Sequence, residues 1–130
     1  MREILFRGKR ISNSKWVEGF MYSQHFPLEF RDDFYIRCYD TDYLVIPETV
    51  GQYTGLTDKN GKRIFEGDIV SLVKHNGLIY KVVYVPCRYE LVNGKGVNCF
   101  VLDIYKSENI EVIGNIHDNP DILKGGEENG

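Results

Sequence analysis

Three Asn-Gly dipeptides, Asn60-Gly61, Asn76-Gly77 and Asn93-Gly94, interrupt runs rich in Val, Ile, Tyr and Phe. Both central residues of a type I′ turn need positive φ, and Asn-Gly meets that demand at low steric cost. A chain punctuated in this way favours antiparallel hairpins, and "VKHNGLIYKV", residues 73–82, is the clearest of them. Composition points the same way. Aromatics make up 13% of the chain, which favours strands, and alanine, the best helix former, is absent.

The periodicity predicts strands over Ile4–Phe6, Trp16–Tyr22, Phe34–Tyr39, Tyr43–Ile46, Ile69–Val73, Leu78–Val85, Phe100–Tyr105 and Ile110–Ile116. Leu78–Val85 is apolar on both faces apart from Lys81, the pattern of a central strand. Helix is confined to one turn at Pro47–Val50 and a short C-terminal turn in "DNPDIL", residues 118–123, with Asn119 as cap and Pro120 at its first position. A length of 130 residues suits one domain with a real core. The expected fold is therefore mostly β with little helix. It is a small SH3-like barrel or β-sandwich over residues 1–124, with a barrel element at about 60–116 and a fraying tail over 125–130.

The charge balance excludes some functions. Sixteen basic and nineteen acidic residues leave a net charge of −3, against a dedicated nucleic-acid binder, which needs clustered positive charge. No run approaches the roughly 18 apolar residues of a membrane span, and the first residues, Met-Arg-Glu-Ile-Leu-Phe-Arg, are not those of a secretory signal. A cytoplasmic protein without membrane contact is expected. Cys38, Cys87 and Cys99 are odd in number and widely spaced, fitting neither a disulfide framework nor a zinc motif. They are expected to pack as small apolar residues.

The stretch "NGKRIFEGDIVSLV", residues 60–73, carries most of the candidate chemistry. It is not a phosphate loop. Five residues rather than four separate Gly55 from Gly61, Arg63 follows Lys62 where Ser or Thr is needed, and no helix follows. Glu66 and Asp68 straddle Gly67 and could hold a metal or share a proton, but no third ligand lies nearby in sequence. The cheaper reading is structural: Asn60 and Gly61 form a turn, Gly67 supplies an unusual backbone angle, and Asp68 bonds local amides as a strand begins. "GKRI" at residues 8–11 recurs at 61–64, with Glu-Gly following each copy at unequal distance, so two similar turns are a simpler account than a duplication.

The segment "QYTGLTDKNGKRIFEGDIV", residues 52–70, together with "REILFRGKR…WVEGF" and "EVIGNIHDNPDIL", resembles the YopX family of small proteins carried by bacterial phages and prophages. The resemblance spans nearly the whole chain outside residues 23–45 and 86–99. It implies a β-rich fold with a partly open barrel or sandwich, a bacterial host and a multimeric assembly. It implies no reaction.

No catalytic constellation is expected. His25, His75 and His117 are scattered, and no Gly-x-Ser-x-Gly elbow is present. Neither a cofactor nor a metal site is expected. Trp16 shares a face with Phe20 and Tyr22 and is expected in the core. Tyr53 beside Lys59, Lys62 and Arg63 could line a groove for single-stranded nucleic acid, or belong to a solvated turn that guards a strand edge. "FRDDF", residues 30–34, reads as an acidic loop. The first expectation for function is a non-enzymatic accessory protein that binds a host or phage protein or assembles with itself. A nucleic-acid-binding module using Tyr53, Lys59, Lys62 and Arg63 is the second, and a metal-dependent hydrolase using Glu66, Asp68 and another acid the third.

Overall fold

In a computed structural model, residues 4–73, 77–85, 88–94, 98–102 and 107–123 are described. They form eleven strands: β1 Phe6–Lys9, β2 Trp16–Phe26, β3 Arg31–Cys38, β4 Thr41–Val45, β5 Gly51–Thr57, β6 Arg63–Phe65, β7 Asp68–Leu72, β8 Leu78–Val85, β9 Arg88–Val92, β10 Asn98–Val101 and β11 Ile110–Asn115. The described helical segments include 3-10 turns at Pro27–Glu29, Pro47–Thr49 and Ser107–Asn109 and a single turn at residues 120–123. The chain divides into two compact units, Met1–Tyr53 and Thr54–Gly130, with β5 running across the boundary.

The first unit is an antiparallel meander in which β4, β3, β2 and β1 lie in that order, followed by the start of β5 beside β1. The meander curls back on itself. Arg10 bridges Val45, Ile11 N–H donates to Leu44 O at 3.0 Å, and Ile46 N–H donates to Lys9 O at 2.9 Å. The curl brings Val45 against Gly8, where an added Cβ would lie 3.2 Å from the Val45 Cβ. Ile36 and Val45, both fully buried, fill the inner face.

The second unit holds the larger core. Its sheet runs β10-β9-β8-β7-β11, with β6 beside the latter part of β5. Ile64, Val70, Leu72, Tyr80, Val82 and Leu91 pack together with Tyr89, Leu102 and Ile110. Each of β7, β8 and β9 contributes alternate residues to this cluster, as the period of two requires. β8 is central, paired to β7 on one side and β9 on the other.

The β-dominated expectation holds, with corrections. The sheet built over residues 60–116 is open, its edges being β10 and β11, and does not close into the expected barrel. The first strand lies at Phe6–Lys9 rather than Ile4–Phe6, and β2 runs on from Tyr22 to Phe26. Of the expected acidic loop at residues 30–34, only Phe30 lies in a turn, and Arg31 begins β3. β5, β6 and β9 were not anticipated. The predicted strand at Phe100–Tyr105 appears as Asn98–Val101; its end, like Asn76, His75, Cys87 and residues 125–130, lies outside the described residues.

Candidate functional site

The turn between β5 and β6 is organised by a side chain that sequence reasoning did not place. Asp58 is only 3% exposed. Its Oδ1 accepts the N–H groups of Asn60 and Lys62, each at 2.9 Å. Its Oδ2 accepts the N–H of Val112 on β11 at 3.0 Å. The backbone adds Gly61 N–H to Asp58 O at 3.0 Å and Lys59 N–H to Ile110 O at 2.8 Å. β11 is an edge strand, so the turn satisfies groups that would otherwise face solvent or a foreign strand. Burial pushes the Asp58 carboxyl up, but the N–H donors of Val112, Lys62 and Asn60, with the Lys62 charge, outweigh it and hold its pKa below the ordinary carboxylate value.

The Glu66-Gly67-Asp68 step is a corner of the same scaffold. Gly67 has φ 91°, a conformation costly for any side chain. Its N–H donates to Val82 O and its carbonyl accepts from Ile116 N–H, both at 2.9 Å. Asp68 is 1% exposed, and its Oδ2 accepts Phe65 N–H at 2.7 Å. One oxygen of the Asp68 carboxylate is thus engaged by the backbone beside it. Among the described residues no group of three or more His, Cys, Asp or Glu gathers as a metal would require.

The predicted binding residues differ in exposure. Lys59, Lys62 and Arg63 are exposed around the Asn60-Gly61 turn, with Gly61 at φ 80°. Lys59 pairs with Glu111 at 3.5 Å, a surface contact of little energetic worth. Tyr53 belongs to the other unit and is 8% exposed, so its ring offers no stacking platform. Trp16 is half-buried, neither core nor platform, with the Arg7 guanidinium 4.7 Å and the Lys9 ammonium 5.8 Å from its ring centroid.

The exposed apolar surface concentrates instead on the first unit, on the β2–β3 hairpin. β1 pairs with β2 only as far as Gly19, and β4 pairs with β3 only from Phe34 onward. Residues 20–26 and 31–33 therefore continue as a two-stranded arm, paired only with each other among the described residues. One face of the hairpin carries Phe20, Tyr22, Phe26, Tyr35 and Arg37. Tyr22 stacks on Tyr35 at 5.1 Å, Arg37 binds Asp42 through both carboxylate oxygens at 3.1 and 3.0 Å, and Arg31 lies 4.5 Å from the Phe26 ring centroid. Partial burial, then the adjacent Asp42, push the Tyr22 phenol pKa up. On the opposite face His25 Nδ1 meets Asp32 at 2.6 Å.

The arm ends in a turn whose apolar residues face water. Leu28 is 94% and Phe30 93% exposed. Phe30 also has φ 50°, and Tyr39, 94% exposed in the β3–β4 turn, has φ 55°. A bulky aromatic in the left-handed region is a backbone outlier, costing on the order of 1–3 kcal/mol. These two rings are both strained and solvated.

A family model described as YopX protein matches residues 5–124. The chain belongs to the YopX family. The match takes in both the Asp58 turn and the arm of this YopX chain. The crystal structure of protein EF1440 from Enterococcus faecalis is similar, with a TM-score of 0.58 and 23% identity, over 95% of this YopX chain and 99% of that one. That likeness shows the fold alone. No curated protein matches. No helix among the described residues is long and apolar enough to cross a membrane.

Proposed function

We propose that this YopX chain is a non-enzymatic accessory protein of a bacterial phage or prophage that works in the host cytoplasm by binding protein, its own or another, through the β2–β3 arm. The carrying observation is the strained, exposed Phe30 together with the exposed Leu28 at the arm's end. Large apolar side chains held out of any core at conformational cost are explained by a partner that covers them. The carboxylates of Asp58 and Asp68 support a non-catalytic reading, since both accept backbone N–H groups within the scaffold. The phage setting rests on the family.

Nucleic-acid binding is the second reading, favoured by the exposed Lys59, Lys62 and Arg63. It is weaker, because Tyr53 is buried and the arm is acidic: residues 20–45 hold two arginines against Glu29, Asp32, Asp33, Asp40 and Asp42. The test is paired. Chain carrying Leu28→Asp and Phe30→Asp is compared with the unaltered chain for protein retained from bacterial lysate, and both are titrated with a labelled single-stranded oligonucleotide at low salt. The proposal expects protein retention to fall on substitution and oligonucleotide binding to be negligible. Equal retention by both chains, or oligonucleotide binding abolished by Lys62→Glu with Arg63→Glu, overturns it.

A further inference from the structure

The turn organised by Asp58 contains a peptide bond that is chemically fragile. Asn60 and Gly61 are both exposed. Gly61 has φ 80°, and even an added Cβ there would meet no heavy atom within 4 Å. The Gly61 nitrogen therefore has no side chain beside it and open space around it. The Asn60 side-chain carbonyl carbon lies one residue back, within rotational reach of that nitrogen. Asn93 and Gly94, which share the dipeptide, are half-buried. One restraint acts on the Asn60-Gly61 pair: the Gly61 N–H donates to Asp58 O at 3.0 Å, which holds the proton that attack by this nitrogen must lose.

We infer that Asn60 is a site of spontaneous covalent modification, converted to aspartate and isoaspartate when the turn opens locally, and that the isoaspartate product unlatches the β11 edge. Water and hydroxide are the only co-reactants. Hydroxide takes the Gly61 amide proton, and the nitrogen attacks Asn60 Cγ. The new N–Cγ bond forms, the bond from Cγ to the side-chain nitrogen breaks, and that nitrogen leaves as ammonia with a proton from water. Water then opens the cyclic imide at either carbonyl. Opening at the Asn60 main-chain carbonyl runs the backbone through Cβ and Cγ, longer by one methylene. Opening at Cγ gives an ordinary aspartate.

The consequence follows from what Asp58 holds. Its Oδ1 accepts the N–H groups of both Asn60 and Lys62, and the added methylene falls between those two donors. One carboxylate oxygen cannot keep both at the new spacing. Either product also places a second carboxylate beside Asp58, where like charges repel. Two contacts tie this turn to β11: Asp58 Oδ2 accepts the Val112 N–H at 3.0 Å, and the Lys59 N–H donates to Ile110 O at 2.8 Å. A turn of altered length loosens both and leaves unpaired groups on a sheet edge. The modification is independent of the β2–β3 arm, and its failure would leave the proposed binding role of the arm as it stands.

The test incubates the folded chain in warm, mildly alkaline buffer made with heavy-oxygen water and maps its peptides by mass spectrometry over time. The inference expects aspartate and isoaspartate carrying heavy oxygen to accumulate at position 60, ahead of position 93. Asp58→Asn should speed conversion at position 60 about tenfold, the population change that goes with losing one such hydrogen bond, and leave position 93 at its former rate. Hydrogen exchange then reads the consequence. In the isoaspartate form the Val112 amide should exchange faster than in the unaltered chain. In N60D, which adds the charge without the methylene, it should stay more protected than in the isoaspartate form. A folded chain that stays unconverted at position 60 while the same chain in denaturant converts overturns the inference. So does Asp58→Asn that speeds positions 60 and 93 alike, which would mark global unfolding as the route, or an isoaspartate form whose Val112 amide is as protected as before.

Discussion

At the scale of single residues, two side chains have opposite consequences for stability. Asp58 accepts three backbone N–H groups from two separate segments. Asp58→Asn keeps the shape but turns an amide N–H₂ toward one of those donors, leaving it buried and unsatisfied. A loss of about 2–3 kcal/mol is expected, read from the denaturation midpoint. The pH dependence has a definite sign. The folded-state pKa of Asp58 lies below its unfolded value, so its contribution is fully present above the ordinary carboxylate pKa and is lost as pH falls through the lowered one. Asp58→Asn should therefore flatten the acid limb of the stability curve, and an acid limb identical to that of the unaltered chain would count against the carboxylate's role. Phe30 runs the other way. Phe30→Gly relieves the left-handed backbone and removes an exposed ring, so stability should stay level or rise by about 1 kcal/mol. Protein binding should fall. A drop in stability instead would mean that the ring packs within its own chain.

At the scale of elements, the strands legible in the sequence are those that alternate and end in recognisable turns. β8 announced itself through Leu78–Val85 flanked by Asn-Gly, and it lies at the centre of its sheet. β5 did not, because "GQYTGLT" mixes two glycines with threonines and reads as a turn. Its buried Thr54 is tolerated because the hydroxyl donates to Ile64 O at 2.8 Å. The extension of β2 was missed for another reason. Ser23, Gln24 and His25 are polar on both faces, the pattern of a strand that buries neither side. Asp58 carried a usable signal, an acid two residues before Asn-Gly, which is the spacing of an Asx turn. Its reach to Val112 is a contact across 54 residues that no local pattern records. Among the described residues the arm has no second neighbour, which has a measurable consequence. Backbone amides of Phe20–Phe26 that point away from β3 should exchange hydrogen with solvent far faster than those of β8, at concentrations where the chain is monomeric. Raising the concentration should slow them. Uniformly slow exchange at every dilution would place a partner on that edge within the single chain.

At the scale of the whole molecule, the division of labour follows where each unit keeps its apolar residues. The second unit gathers nine buried residues into one cluster and ties its edge strand to the Asp58 turn. The first unit, whose buried apolar residues are Ile36, Val45 and Tyr53, displays Phe20, Leu28, Phe30 and Tyr39 to solvent. Its charge is also uneven, basic over residues 4–19 and acidic over 20–45. On the self-binding reading of the arm, such opposed charges would attract a second copy across solvent, an attraction that salt screens, since the Debye length falls from about 30 Å at 0.01 M salt to about 10 Å at 0.1 M. Burial of the arm's aromatic side chains is not screened in this way. Raising salt from low to moderate concentration should therefore weaken self-association only severalfold, chiefly by slowing encounter. Glu29→Lys with Asp33→Lys should remove most of that salt dependence while weakening association at low salt. Analytical ultracentrifugation of both chains over a salt series reads this directly. Association that collapses by orders of magnitude in salt would mark a purely ionic contact, and the exposed aromatic side chains of the arm would then have no part in holding two copies together.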